Sequence, residues 1–277
     1  MMNRIDQAFQ RYNDRYRLIP FITAGDPDAK TSLELIRLLD EEGVTAIELG
    51  VPFSDPLADG PVIQAASDRA LAAGMNLRGV LKLAQQARQL GVQTPLILFT
   101  YYNPVLHYGV ERLVAAAKEA GFDGFIIPDL PLEESEALDR MATDAELHLI
   151  PLVAPTSHER IRAIVSKRKG GFIYCVSSLG TTGIRQHFSD GVESFLDEVG
   201  SSSPVPIAVG FGISQPHHVE QMSKHADAVV VGSALVRLLE SLGERLQQEE
   251  SRAAALDEVR QMIRNLVGKK GRVTSGR

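Results

Sequence analysis

Glu48 stands inside the apolar run Ala46-Ile47-Glu48-Leu49-Gly50-Val51, where a carboxylate is expensive unless hydrogen bonds or chemistry use it. In an extended strand Ala46 and Glu48 share a face, so the carboxyl points toward the mouth of whatever core that face builds. The stretch that follows, Val51-Pro52-Phe53-Ser54-Asp55-Pro56-Leu57-Ala58-Asp59-Gly60-Pro61, is stiffened by three prolines and holds Asp55 and Asp59 four apart. Segments rich in Pro, Asp and Gly are ordinarily turns, and a lone strand carboxylate can be structural, so each acid alone admits both readings. Together they are more telling. One carboxyl ends an apolar strand, the other lies in the loop above it, and unequal surroundings push paired carboxyl pKa values apart, as general acid–base work requires.

Backbone N–H groups could receive an anion at three places. These are Ser178-Leu179-Gly180-Thr181-Thr182-Gly183, Gly210-Phe211-Gly212, and Gly232-Ser233 at the start of a helical stretch. Glycine lets the backbone approach closely and a helix N-terminus favours negative charge; three tight turns are the plainer reading. Tyr174 falls near the end of its apolar run and points inward, which turns Cys175 outward as a small apolar residue with no basic neighbour to activate it. Phe21, Phe99, Tyr101, Ile126, Leu152 and Phe211 also fall near run ends. They suit either plain core or an apolar pocket for a flat aromatic ligand. Residues alone thus point to a phosphorylated, partly apolar substrate handled by two carboxylates.

Eight short apolar runs must position these groups: residues 18–23, 46–51, 95–100, 124–128, 147–153, 172–176, 206–209 and 228–231. They are continuous rather than alternating, as strands covered on both faces are. Helical stretches separate them, the first started by Asp26-Pro27 and the others near 76–91, 110–120, 132–145, 189–199, 216–225 and 233–242. Eight strands alternating with helices make a closed parallel (β/α)₈ barrel or a doubly wound open sheet. The barrel is favoured, since no Gly-x-Gly-x-x-Gly follows the first run. Extra helices are expected at 4–13, at 62–73 after the second strand, and at 255–267. Residues 1–268 read as one barrel domain and residues 269–277 as a flexible basic tail. Barrel chemistry sits at the carboxyl ends of the strands, where the residues above lie.

A chain of 277 residues with a net charge of −6 has a large core and no electrostatic reason to bind nucleic acid. Its one cysteine, Cys175, forms no internal disulfide, which fits a reducing cytoplasm. The N-terminus lacks an apolar signal segment, no run reaches the roughly 18 apolar residues of a membrane span, and the histidines show no metal-ligand spacing, so no metal is expected.

The stretch ELGVPFSDPLADGP at residues 48–61 resembles the signature of tryptophan synthase alpha chains. The resemblance runs on through Pro20-Phe21-Ile22-Thr23-Ala24-Gly25-Asp26-Pro27, Tyr101-Tyr102-Asn103-Pro104, Pro128-Asp129-Leu130-Pro131, Gly183 and Gly210-Phe211-Gly212-Ile213, and so covers nearly the whole chain. It implies a lyase that cleaves indole-3-glycerol phosphate into indole and glyceraldehyde 3-phosphate, with the acid/base glutamate on Glu48, the indole-binding aspartate on Asp59 and the strand tyrosine on Tyr174. It places phosphate binding on Gly183, Gly212, Gly232 and Ser233. It implies a beta chain as partner in an alpha2beta2 tetramer, with pyridoxal phosphate held by that partner and no cofactor in this chain. The alternatives are a stand-alone lyase and a catalytically silent activator of the beta chain. One departure is Ser178-Leu179, where some relatives carry an arginine.

Overall fold

Apolar runs without alternation need cover on both sides, and here each strand is flanked by helices. The computed structural model describes residues 2–11, 15–166, 168–176, 191–210 and 212–268. Helix α1 (Arg4–Gln10) precedes β1 (Leu18–Thr23), α2 (Ala29–Glu41) and β2 (Ile47–Gly50). Then come α3 (Pro61–Ala72), α4 (Leu77–Gln89), β3 (Leu96–Phe99), α5 (Tyr102–Tyr108), α6 (Val110–Ala120) and β4 (Gly124–Ile126). Helix α7 (Leu132–Asp144) leads to the short strands β5 (His148–Leu149) and β6 (Leu152–Val153), and α8 (His158–Val165) to β7 (Ile173–Val176). The chain ends with α9 (Val192–Ser202), β8 (Ile207–Gly210), α10 (Pro216–Met222), β9 (Ala228–Val231), α11 (Ser233–Ser241), α12 (Gly243–Gln247) and α13 (Glu249–Val267).

The strands pair in the order β5-β4-β3-β2-β1-β9-β8-β7-β6, all in parallel. The two ends of that order belong to one apolar run. His148 and Leu149 pair with β4 while Leu152 and Val153 pair with β7. Between them Ile150 donates its N–H to Phe125 at 2.9 Å and the Pro151 carbonyl accepts from Tyr174 at 3.0 Å. Proline has no N–H for the ladder, so the run splits into two short strands at Pro151. The ring therefore closes through eight runs, as a (β/α)₈ barrel does.

Alternate residues of these strands go to different cores. Ile19, Ala46, Ile97, Ile126, Ile150, Phe172, Ala208, Ala228 and Val230 pack together inside the ring, and Leu18, Ile47, Leu49, Leu96, Leu98, Ile173, Cys175 and Val229 pack with the helices outside it. Helix α1 fills the amino-terminal end of the ring with Ile5 and Phe9, the latter 5.6 Å from the Phe172 ring. Asp6 fastens it by accepting from Gly171 N at 2.7 Å and bonding His148 Nε2 at 2.9 Å. With the lower end plugged by a helix, the carboxyl-end mouth is left to hold a ligand.

Several helix boundaries differ from expectation. The first barrel helix starts at Ala29, because Asp28 rather than Asp26 caps it, accepting from Thr31 N at 2.7 Å. Asp26 is taken by Arg69, whose Nε and Nη2 donate to it at 2.8 and 2.9 Å. The Tyr102-Asn103-Pro104 stretch, read as loop, is the first turn of α5, where proline is tolerated. The terminal helix begins at Glu249, with Glu249 and Glu250 at its positive N-terminus, and α12 precedes it. The expected tail, residues 269–277, lies outside the described residues.

Candidate active site

Glu48 lies in the middle of β2, paired in register with Phe21 on one side and Ile97 on the other. It is 1% exposed, and among the described residues its Oε1 has no hydrogen-bond partner. Burial pushes its carboxyl well above the usual range, which favours the protonated form. Across the same cavity lies Asp59, from the loop that leads into α3. Burial raises its pKa too, but a hydrogen bond from Tyr101 works the other way. The two acids are thus held in unequal surroundings, and Tyr174 lines the same cavity. The Tyr174 hydroxyl is pushed upward by burial first and then by Glu48 and Asp59, so it stays protonated as a donor. A Cβ on Gly210 would lie 2.7 Å from that hydroxyl, so only glycine leaves the tyrosine room.

Another part of the lining is backbone. Gly212, Gly232, Ser233 and Ala234 line the cavity. Gly212 adopts φ 65°, which a glycine reaches without strain. Gly232 is the N-cap of α11 and supplies no side-chain hydrogen bond, so the first-turn N–H groups of that helix are not taken by a cap. A helix N-terminus with unspent donors receives an anion such as a phosphate. Between the acids and the helix end the lining is apolar: Phe21, Ile63, Phe99, Ile213 and Val230. Phe21 and Phe99 meet edge to face, ring centres 5.3 Å apart. One cavity therefore gathers proton-transfer groups, a helix N-terminus that can seat an anion, and an apolar lining.

Of the residues singled out from sequence, Glu48, Asp59, Tyr174, Phe21, Phe99, Gly212, Gly232 and Ser233 come together in this one cavity. Ile126 does not line it but packs within the ring, and Leu152 packs against the same interior cluster. Tyr101 is also outside the lining: it is 3% exposed and directs its hydroxyl to Ala58 N at 3.0 Å. Phe211 and Gly183 lie outside the described residues, as does the whole of 177–190 with Ser178-Leu179. Ile63, Ile213, Val230 and Ala234 line the cavity without having been anticipated. Ile63 comes from an extra helix whose placement over the mouth no strand pattern records; Val230 sits on the inward face of the last strand and its parity alone would have found it. Cys175 is buried outside the ring with its thiol pushed up to about 12 by burial, an inert side chain. Among the described residues no group of three or more His, Cys, Asp or Glu could hold a metal ion, and no helix is long and apolar enough to cross a membrane.

The sequence profile of the family described as tryptophan synthase alpha chain matches residues 8–266. The chain belongs to the tryptophan synthase alpha chain family. It is 49% identical over 267 residues to the tryptophan synthase alpha chain of Shouchella clausii (strain KSM-K16), covering 96% of this chain and 98% of that one. It is 52% identical over 240 residues to that of Bacillus subtilis (strain 168), covering 87% and 90%. Among solved structures, tryptophan synthase subunit alpha from Legionella pneumophila str. Paris superposes with a TM-score of 0.82 at 35% identity, over 95% of this chain and 99% of that one. A Pyrococcus furiosus chain, from work on mutual activation of the tryptophan synthase α2β2 complex, superposes with a TM-score of 0.80 at 37% identity, over 90% and 97%. As a tryptophan synthase alpha chain family member it is a lyase of tryptophan biosynthesis, acting on indole-3-glycerol phosphate.

Proposed function

We propose that the cavity cleaves the C3–C3′ bond of indole-3-glycerol phosphate with Glu48 as the proton shuttle and Asp59 as the partner of the indole N–H. A carbanion at indole C3 is a poor leaving group, so C3 must be protonated first. Glu48, which keeps its proton by burial, gives it to C3 and forms the indolenine. The Glu48 carboxylate then takes the proton of the C3′ hydroxyl. The oxygen lone pair closes to the aldehyde, the C3–C3′ pair returns to the ring, and indole and glyceraldehyde 3-phosphate separate with protons balanced. Asp59, whose ionised form the Tyr101 hydrogen bond favours, stabilises the positive charge that develops on the ring. Tyr174 closes the wall beside both acids.

Gly212, Gly232 and Ser233, together with Gly183, hold the phosphate at the α11 N-terminus, away from the breaking bond, so its binding energy orients the reacting end. Phe21 and Phe99 flank the flat ring. The observation that carries this reading is a buried Glu48, its Oε1 without a hydrogen-bond partner among the described residues, sharing one cavity with Asp59 and a helix N-terminus that no side chain caps. Every proton in the sequence is handled by side chains of this chain, and the reading assigns it no cofactor. Pyridoxal phosphate belongs to the beta chain, which docks on the carboxyl-end face in an alpha2beta2 tetramer and receives the indole. Residues 1–268 act as one barrel domain, in the cytoplasm.

The test is Glu48→Gln, which is expected to reduce cleavage by about 10²–10⁴-fold while glycerol 3-phosphate still binds. Wild-type turnover would overturn the assignment. Assaying the purified chain alone and with a beta chain separates this reading from a silent activator, which would show no basal cleavage, and from a stand-alone lyase, which no beta chain would stimulate.

A further inference from the structure

We propose that Tyr101 is the positioning residue of Asp59: its hydroxyl accepts the Ala58 N–H and donates its own O–H to the Asp59 carboxylate, so one oxygen sets both the path of the loop after β2 and the direction of its acid. This deepens the proposed function and rests on Asp59 being the acid that meets the substrate ring.

The placement of Tyr101 leaves it little other work. It is the N-cap residue of α5, 3% exposed, and it does not line the cavity. A phenol has one proton and two lone pairs. Ala58 N occupies a lone pair at 3.0 Å, which leaves the proton for Asp59, the next residue of the loop, whose carboxyl the phenol draws down against the effect of burial. The ring is held from two other directions. Phe53, at the start of the same loop, packs on it at 5.4 Å with the planes 31° apart. The next residue, Tyr102, donates its N–H to Asp129 Oδ1 at 2.8 Å, fixing the base of the side chain to the loop after β4.

The middle of the loop, at Ser54, Asp55, Leu57 and Ala58, is exposed. Tyr101 therefore contacts both ends of a segment whose centre packs on little. Among the described residues, the ionisable groups near Asp59 are Tyr101 beside it and Glu48 and Tyr174 in the same cavity, with Asp129 acting on Tyr101. No cationic side chain acts on Asp59 among the described residues, so the phenol is the one group found opposing the effect of burial. Phenylalanine would fill the same space and supply neither bond.

Tyr101→Phe in the full chain tests this. The expected result is a fall in kcat of about 10- to 100-fold, the loss that fits one hydrogen bond to a charged group, with KM changed by less than about twofold because the phosphate seat is untouched. The acidic limb of the kcat–pH profile moves to higher pH, and the ¹³C-labelled Asp59 carboxyl titrates higher by NMR. Adding Tyr101→Phe to Asp59→Asn costs nothing further. Replacing Tyr101 with 3,5-difluorotyrosine, a stronger donor of nearly the same shape, moves both titrations to lower pH and decides the matter if the phenylalanine variant folds poorly. Unchanged titration of Asp59 and an unchanged acidic limb in these variants would overturn the proposal. Wild-type turnover in Asp59→Asn would instead overturn the assignment of Asp59 on which it rests.

Discussion

At Glu48, function and stability pull in opposite directions. A carboxyl whose folded pKa is raised keeps a proton that the unfolded chain releases. Its stabilising share is therefore whole below the unfolded value and is lost as pH rises through the folded one. Glu48→Gln carries no such penalty. It should be nearly neutral in stability near pH 4 and more stable than wild type near pH 8 by on the order of 1–3 kcal/mol, read by urea denaturation at both pH values. An equal effect at both would show that Glu48 is not the buried proton holder described. Asp59→Asn should also cripple turnover, since an amide cannot stabilise a developing cation as a carboxylate does, whereas Asp55, exposed in the loop and receiving the Ser54 hydroxyl at 2.5 Å, should tolerate Asn far better in the isolated chain. If Asp55 proves essential and Asp59 dispensable, the two roles are reversed.

Among the elements, α3 matters most to the site. It follows Asp59 directly, carries Ile63 into the cavity, and packs its Ile63 and Ala66 with Phe21 and Val236 of β1 and α11. Arg69 pins it. One guanidinium grips Asp26 after β1 through two bonds and reaches Glu240 of α11 at 2.8 Å. Asp26 is 3% exposed, so Arg69→Met would leave a buried carboxylate without its partner. The expected cost is about 2 kcal/mol, discounted because the arginine itself is a third exposed. Since α3 also carries Ile63 into the cavity lining, KM should rise with it. Denaturation and steady-state kinetics on the same variant check both; a stable variant with unchanged KM would mean that packing alone seats the helix.

On the scale of the whole molecule, the two ends of the barrel differ in what they leave open. The amino-terminal end is plugged by α1, while Leu57 of the loop after β2 and Leu106 of α5 are large apolar side chains exposed to 89% and 54%. Both belong to segments that follow the carboxyl ends of strands. Met2 and Leu90 are also exposed, to 50% and 55%; the two leucines after strand ends are the ones we propose as contacts for a beta chain. A beta chain covering residues 53–61, 103–107 and 129–134 would press on the loop that carries Asp59 and favour its closed form, raising activity by population shift. Bulky or charge-reversing substitutions at Asn103, His107 and Glu134 are expected to lower beta-chain affinity and stimulation while sparing basal cleavage. An intact complex after these changes, with loss instead from substitutions at the α1 end, would place the interface wrongly here.

Continuous apolar runs and their count narrowed the fold to a parallel barrel or a doubly wound open sheet, since both bury strands on two faces; the missing Gly-x-Gly-x-x-Gly favoured the barrel, and the strand pairing order decided it. The same parity put Glu48 and Tyr174 on the inside and Cys175 outside, since strand side chains alternate whatever surrounds them. Local chemistry also marked Gly232-Ser233 as a helix start. What sequence could not decide was distance. Tyr101, Ile126 and Leu152 were equal candidates for the pocket with Phe21 and Phe99, as all fall near strand ends. Only the assembled ring shows that Ile126 and Leu152 pack in its interior and that Tyr101 turns to the loop. Asp26 likewise looked like a helix cap until Arg69, 43 residues away in sequence, took it. The split at Pro151 was invisible for a related reason: a proline can sit in a strand run, and its cost appears only when a neighbour needs the missing N–H. Parity and capping are decided within a few residues of chain. Pocket membership, ion-pair partners and loop anchoring depend on which distant elements arrive beside them, and tertiary packing alone decides that.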